Sequence, residues 1–277
     1  MSNKDPLCVI RQLAEEYGLL YLDPDKVDID TYKAVVLKGA DPGTDSLDHF
    51  EGDERDVLEV VDTPAGSVKA VTLWKRHDFE VAMRDFFAAK NGPLAEIPAT
   101  QGAAMITVFN WNRINSHLAS FPEEERGEEF RRFTQVKSNY IDNLVVLSVG
   151  PYSHVDASLA GHSEEEWLLY SDKIRRNHEL THFICRRLYP DNIDEIRDEL
   201  IADTIGLYSA YGSLDPDKIR LFLGIKDGKY IGGRLENYTD DAAGITDSVN
   251  KQIDVIAAKV EKAGKVEPFD LIPILME

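Results

Sequence analysis

The chain is poor in cysteine, with only Cys8 and Cys185 among 277 residues and no CxxC pair. That excludes a disulfide framework and fits a reducing compartment. Positive charge is also scarce. Lys and Arg number 31 against 50 Asp and Glu, and the resulting net charge of −19 argues against nucleic acid or an anionic membrane as a partner. No apolar run is long enough to span a membrane. The opening stretch, MSNKDPLCVIRQLAEEYGLL, lacks the basic-then-apolar order of a secretion signal. The expected setting is therefore the cytoplasm. Internal repeats and low-complexity segments are absent. A chain of this size buries a large core, either as one domain or as two subdomains.

What is present divides by pattern. Residues 57–74 read as two strands joined by a Pro/Gly turn, and 77–92 as a helix closed by Asn-Gly. Residues 103–111 read as a strand, 123–141 as a helix, and the β-branched run of 143–150 as a strand that is either an edge able to pair with an extended peptide or an interior one. From Ser163 the pattern turns helical. Ser163 with Glu166 forms a capping box, and Glu164, Glu165 and Glu166 fill a first turn where the helix dipole favours them. That helix is expected to end near Leu188, before Pro190. A second, capped by Asp191 or Asn192, is expected to reach Tyr211 and close on Gly212; its apolar stripe is Ile193, Ile196, Leu200, Thr204, Leu207 and Tyr211. A third begins near Asp215, and residues 245–264 form a long amphipathic helix through Val249, Ile253, Ile256 and Val260. The expected fold class is α+β, with a mixed-sheet part over 1–160 and a helical part over 161–277.

The chemistry concentrates in RRNHELTHFICRRLYPDNIDEIRDELIADTIG, residues 175–206. His178 and His182 stand four apart on a helix, about 40° apart in projection, so both imidazoles can reach one ion. Glu179, beside the first histidine, cannot join them at that angle, but it is placed to act as a general base toward water. A catalytic zinc takes a third protein ligand and keeps one open position. If the two helices form an antiparallel hairpin through YPDN, counting back from the turn at about 1.5 Å per residue sets Glu199 level with His182 and Asp203 level with His178. Asp203 is then positioned to accept the second ring N–H of His178 and fix its tautomer. Glu195 and Asp198 fit worse, being nearer the turn, and Asp198 points about 100° away from Glu199. Gly206 and Ala210 continue the Glu199/Asp203 face and leave it small enough for close helix packing.

These residues resemble the gluzincin branch of the zincin superfamily of zinc metallopeptidases, to which thermolysin-like enzymes belong. The resemblance implies a zincin-like fold, Zn2+ as cofactor, and His178, His182 and Glu199 as its ligands. It further implies Glu179 as the catalytic base and Asp203 as the support of His178, with a peptide or protein as substrate. Sixteen residues separate His182 from Glu199, a little shorter than the spacing of that branch. The longer metzincin pattern is absent, because Cys185 stands where a glycine and Leu188 where a third histidine would be.

Cys185 reads as a small buried hydrophobe rather than a ligand. His154 and His162 lie in a loop that leads into the metal helix. Donors for a developing oxyanion are sought among Tyr208, Tyr211, Arg234 and Tyr238, with GGRLENY, residues 232–238, the most suggestive. Two other readings stay open: a metal-binding protein of this fold without peptidase activity, and an interaction protein without metal.

Overall fold

The structure, a computed structural model, describes residues 5–191 and 194–277. It bears out the α+β class. The chain divides into two compact units, one taking in residues up to Val60 with 68–101 and 106–148, the other 61–67, 102–105 and 149–277.

The first unit begins with helices α1 (Cys8–Glu16) and α2 (Ile29–Lys38). Strands β1 (Val57–Thr63) and β2 (Gly66–Leu73) follow, then helix α3 (Arg76–Asn91) and strand β3 (Ala103–Phe109), the strand residues within 61–67 and 102–105 counting with the second unit. Helices α4 (Trp111–Leu118) and α5 (Arg126–Phe133) and strand β4 (Ile141–Ser148) complete it. The sheet order is β1-β2-β4-β3. The two-residue connection Pro64-Ala65 permits only an antiparallel β1–β2 pair. β2 runs parallel to β4, with Lys69 opposite Leu144 and Leu73 opposite Ser148. β4 is therefore interior, and Leu144 to Leu147 are fully buried, as the continuous apolar run of a two-sided strand requires. The edge-strand alternative for 143–150 falls away. The helix expected over 123–141 also ends early, at Phe133. The Thr134 hydroxyl donates to the Phe130 carbonyl and the Asn139 amide to that of Phe133, so side chains satisfy the last carbonyls and the helix stops.

The second unit is built around two helices. The short α6 (Ala157–Ala160) precedes α7 (Glu164–Leu188), whose N-terminus carries the full Ser163/Glu166 capping box. No glycine or proline interrupts α7, so it continues for 25 residues. α8 (Glu195–Tyr211) packs against it as the most extensive helix pair of the unit. Its N-cap is Asp194, whose carboxylate accepts from the Arg197 N–H, not Asp191; Asn192 and Ile193 lie outside the described residues. Gly212, at φ 73°, closes the helix in the left-handed conformation that glycine takes without a Cβ clash. Every residue from Leu200 to Ser209 is buried, so the expected apolar stripe is an all-round buried segment. α9 (Pro216–Leu223), α10 (Ala242–Ala263) and α11 (Leu271–Met276) surround it, with the two-stranded β5 (Ile225–Lys226) and β6 (Lys229–Tyr230) between α9 and α10. A Cβ on Gly206 would lie 2.7 Å from the Ile174 carbonyl oxygen of α7. That contact is the close approach which lets facing side chains of the pair meet. Among the described residues no helix is long and apolar enough to cross a membrane.

Candidate metal centre

The α7–α8 pair brings His178, His182 and Glu199 together, and their ligand atoms all lie within 4.8 Å of one another. Both histidines are buried, at 6% and 5% exposure. Their Nε2 atoms are 3.0 Å apart. The Glu199 carboxylate spans the two, with Oε2 3.3 Å from His178 Nε2 and Oε1 3.4 Å from His182 Nε2.

Hydrogen accounting at the far side of each ring decides what these atoms are. His178 Nδ1 is 3.0 Å from Asp203 Oδ1, and His182 Nδ1 is 2.8 Å from Asp198 Oδ2. Ionised carboxylates only accept, so each Nδ1 carries a hydrogen and donates it. In the neutral rings that leaves both Nε2 atoms as lone pairs, facing each other and a carboxylate. Such a convergence is repulsive until a cation enters it, whether proton or metal. Burial draws His182 down, but its contacts to Asp198 and Glu199 outweigh this and push it up to about 10. His178 is likewise pulled down by burial and carried above its ordinary value by Asp203 and Glu199. Burial raises Glu199, yet the two histidines hold it far below the carboxylate range.

Spacing tests whether a metal suits the same place. Zinc bonds of about 2.0–2.1 Å in tetrahedral array put neighbouring ligand atoms about 3.3 Å apart. Here the two Nε2 atoms are 3.0 Å apart and each has one oxygen of the Glu199 carboxylate at 3.3 or 3.4 Å, Oε2 beside His178 and Oε1 beside His182. Glu199 Oε2 is moreover buried without a hydrogen bond of acceptable geometry among the described residues, an acceptor that a metal would satisfy. The donor set of two imidazoles and one carboxylate is one that zinc takes at catalytic sites. The residues fit the ion.

The surroundings include groups that the sequence did not reveal. Asp203 is fully buried, and the Tyr152 hydroxyl donates to its Oδ1 at 2.7 Å while the Arg234 guanidinium pairs with Oδ2. Burial raises Asp203, but Arg234 and His178 bring it below its usual value. Tyr152 sits in the loop where only His154 and His162 drew attention, and no spacing signalled it. Asp198 is not among the clustered ligands, as its angle implied, but it has a role the sequence did not assign. Its offset of about 100° from Glu199 takes it away from Nε2 but brings it to Nδ1 of the same His182, where it is a support rather than a competing ligand.

Of the four oxyanion candidates, Arg234 and Tyr238 are at the centre. Burial and Glu199 raise the Tyr238 phenol above its ordinary value, against the lowering effect of Arg234. Tyr208 instead contacts Gly264 and Val266. Tyr211 stacks on Tyr170 at 4.6 Å and meets His162 Nε2 at 2.9 Å, so His162 belongs to that aromatic cluster. His154 is exposed, at φ 54°, and is not among the clustered ligands. Cys185 is buried, and burial with the nearby Asp198 pushes its thiol up to about 12, which keeps it protonated. Glu179 is half-buried on α7, within electrostatic reach of His182.

Fold and site together define an α+β protein with two buried histidines and a partly exposed glutamate gathered as a donor set on a helix pair. The model of DUF7005, a family of unknown function, matches residues 26–270, and the chain belongs to that family. The whole donor set falls inside the matched span. No curated protein and no solved structure matches the chain.

Proposed function

We propose that this protein is a zinc-dependent hydrolase of zincin-like fold and, within that class, a peptidase. The observation that carries the proposal is the convergence of two buried imidazole nitrogens, 3.0 Å apart, on the Glu199 carboxylate, with one ligand atom of each residue within 4.8 Å of the others. The resemblance of residues 178–203 to gluzincins supports it independently. His178, His182 and Glu199 would hold the zinc, the tautomers of the two imidazoles being fixed by Asp203 and Asp198. Zinc bound there supplies Lewis acidity toward a scissile carbonyl and lowers the pKa of water. Glu179 takes a proton from the attacking water and delivers it to the leaving amine. Tyr238, kept protonated by burial and by Glu199, has a phenolic hydrogen to donate to the developing oxyanion. The substrate is a peptide or protein. A cytoplasmic setting is supported by two free cysteines.

The test is elemental analysis of the purified chain beside a peptide-hydrolysis assay. One zinc per chain, lost in Glu199→Ala, with hydrolysis cut about 10²- to 10⁴-fold in Glu179→Gln while zinc is retained, is the expected result. Zinc content indifferent to Glu199 would remove the metal site, and full activity of Glu179→Gln would remove the general base.

A further inference from the structure

Two side chains reach the centre from outside the metal helices, and their bonds close a ring. Arg234 donates through one terminal nitrogen, Nη1, to the Tyr152 hydroxyl at 2.8 Å and through the other, Nη2, to Asp203 Oδ2. Tyr152 passes its own hydrogen to Asp203 Oδ1 at 2.7 Å, beside the His178 Nδ1–H at 3.0 Å. Both carboxylate oxygens are thereby fixed, and the hydroxyl can turn neither away from Asp203 nor toward the ring nitrogen as a donor. Only one hydrogen arrangement satisfies all four groups, and in the neutral ring it leaves His178 Nε2 bare.

Both contributors are themselves anchored. The loop holding Tyr152 is pinned along one face of α7. The Tyr152 N–H donates to Ser171 Oγ, Arg175 donates to the Gly150 and Pro151 carbonyls, and the Trp167 indole donates to the Val155 carbonyl. Ser153 and His154 take positive φ of 51° and 54° to make the turn, a backbone cost that non-glycine residues bear where surrounding contacts enforce it. Arg234 follows Gly233, where a Cβ would lie 2.7 Å from the Gly224 Cα; the bare crossing of two glycines delivers the guanidinium to its place. The Tyr230 hydroxyl, 2.9 Å from both the N–H and the carbonyl of Gly233, holds that crossing.

We propose that Tyr152 and Arg234 act as a pair of positioning residues that set the zinc affinity of the centre by locking Asp203 and, through it, His178. The inference rests on the metal-site reading above. The pair is charge-balanced without the metal, since Arg234 answers Asp203, so the support exists before the ion arrives and does not have to be organised by it.

The experiment compares the wild-type chain with Tyr152→Phe, Arg234→Met and Arg234→Lys. It measures zinc dissociation constants by chelator competition and the visible spectrum of each cobalt(II)-loaded protein. Tyr152→Phe keeps the ring that packs on Phe222 at 5.1 Å and removes only the hydroxyl. The expected result is about a 10- to 100-fold loss of zinc affinity in Tyr152→Phe and Arg234→Met, partly recovered in Arg234→Lys. The cobalt spectra of the first two should shift toward that of His178→Ala. A purely structural role would lower the melting temperature and leave the cobalt spectrum of the folded variants unchanged. Wild-type zinc affinity and an unshifted cobalt spectrum in Tyr152→Phe would overturn the inference while the metal site stands, and this variant decides the matter if Arg234→Met does not fold. A wild-type chain that takes up no zinc would overturn both.

Discussion

The two histidines of the centre are each supported by an aspartate of the same helix, yet the two supports differ in kind. Asp203, behind His178, is wholly buried and enclosed by Tyr152 and Arg234. Asp198, behind His182, keeps about a fifth of its side chain exposed, at 22%, and has Cys185 as a further neighbour. A buried ion pair costs solvation that only its partner offsets, whereas a group at the rim can fall back on water. The His178 end is thus built into the fold, and the His182 end rests on it more lightly.

The largest effect expected from this contrast is in Asp203→Ala, which strands the Arg234 charge in a buried site. Chemical denaturation of the zinc-free chain should show a loss of about 3–5 kcal/mol; a loss no greater than that of Asp198→Ala would erase the distinction between the two ends. Next comes Gly206→Ala, three residues beyond Asp203, where the added Cβ meets the Ile174 carbonyl at 2.7 Å. Prising the helix pair apart should cost about 1–3 kcal/mol and weaken zinc binding at both ends, read by denaturation and chelator competition together.

Asp198→Asn should be milder. Loss of that carboxylate is expected to cost about tenfold in zinc affinity with little change in folding stability, and calorimetric titration with zinc measures it. The smallest effect is a pH slope. His182, raised to about 10 in the fold, keeps its proton there while the unfolded chain releases it near pH 6.5. Its contribution is therefore complete below pH 6.5 and is lost as pH rises through the folded value. From pH 7 to 8 the zinc-free chain should lose about 1 kcal/mol on this account. Zinc, taking the place of the proton, should abolish the slope. A zinc-free protein whose stability is flat or rising across that interval would contradict the hydrogen accounting at Nε2.

Much of the centre was legible in the sequence. The capping box at Ser163, the four-residue spacing of the histidines and the closing Gly212 are local features, and helix geometry is fixed by local rules. The level match of His178 with Asp203 followed because a short connection between antiparallel helices leaves little freedom in register. The match held even though the N-cap proved to be Asp194. Asp198 was rightly set aside as a ligand, but its support of His182 was missed, because its angle was measured against the ligand position alone while an imidazole presents two nitrogens on different sides. In the first unit, the run 143–150 left its edge or interior position open, since neighbours in a sheet are chosen by segments far apart in sequence.

Sequence by itself determined the helix pair, the two histidines and the acids facing them, because a periodic pattern and a tight turn specify which side chains share a level. Only the tertiary structure decided that Tyr152, 26 residues before His178, and Arg234, 31 residues after Asp203, would enclose that pair. Each opens only a short 3-10 turn, too brief for a periodic pattern to announce it. Their arrival depends on a loop pinned along α7 and on two glycines crossing without side chains, and such contacts exist only once the chain has closed on itself.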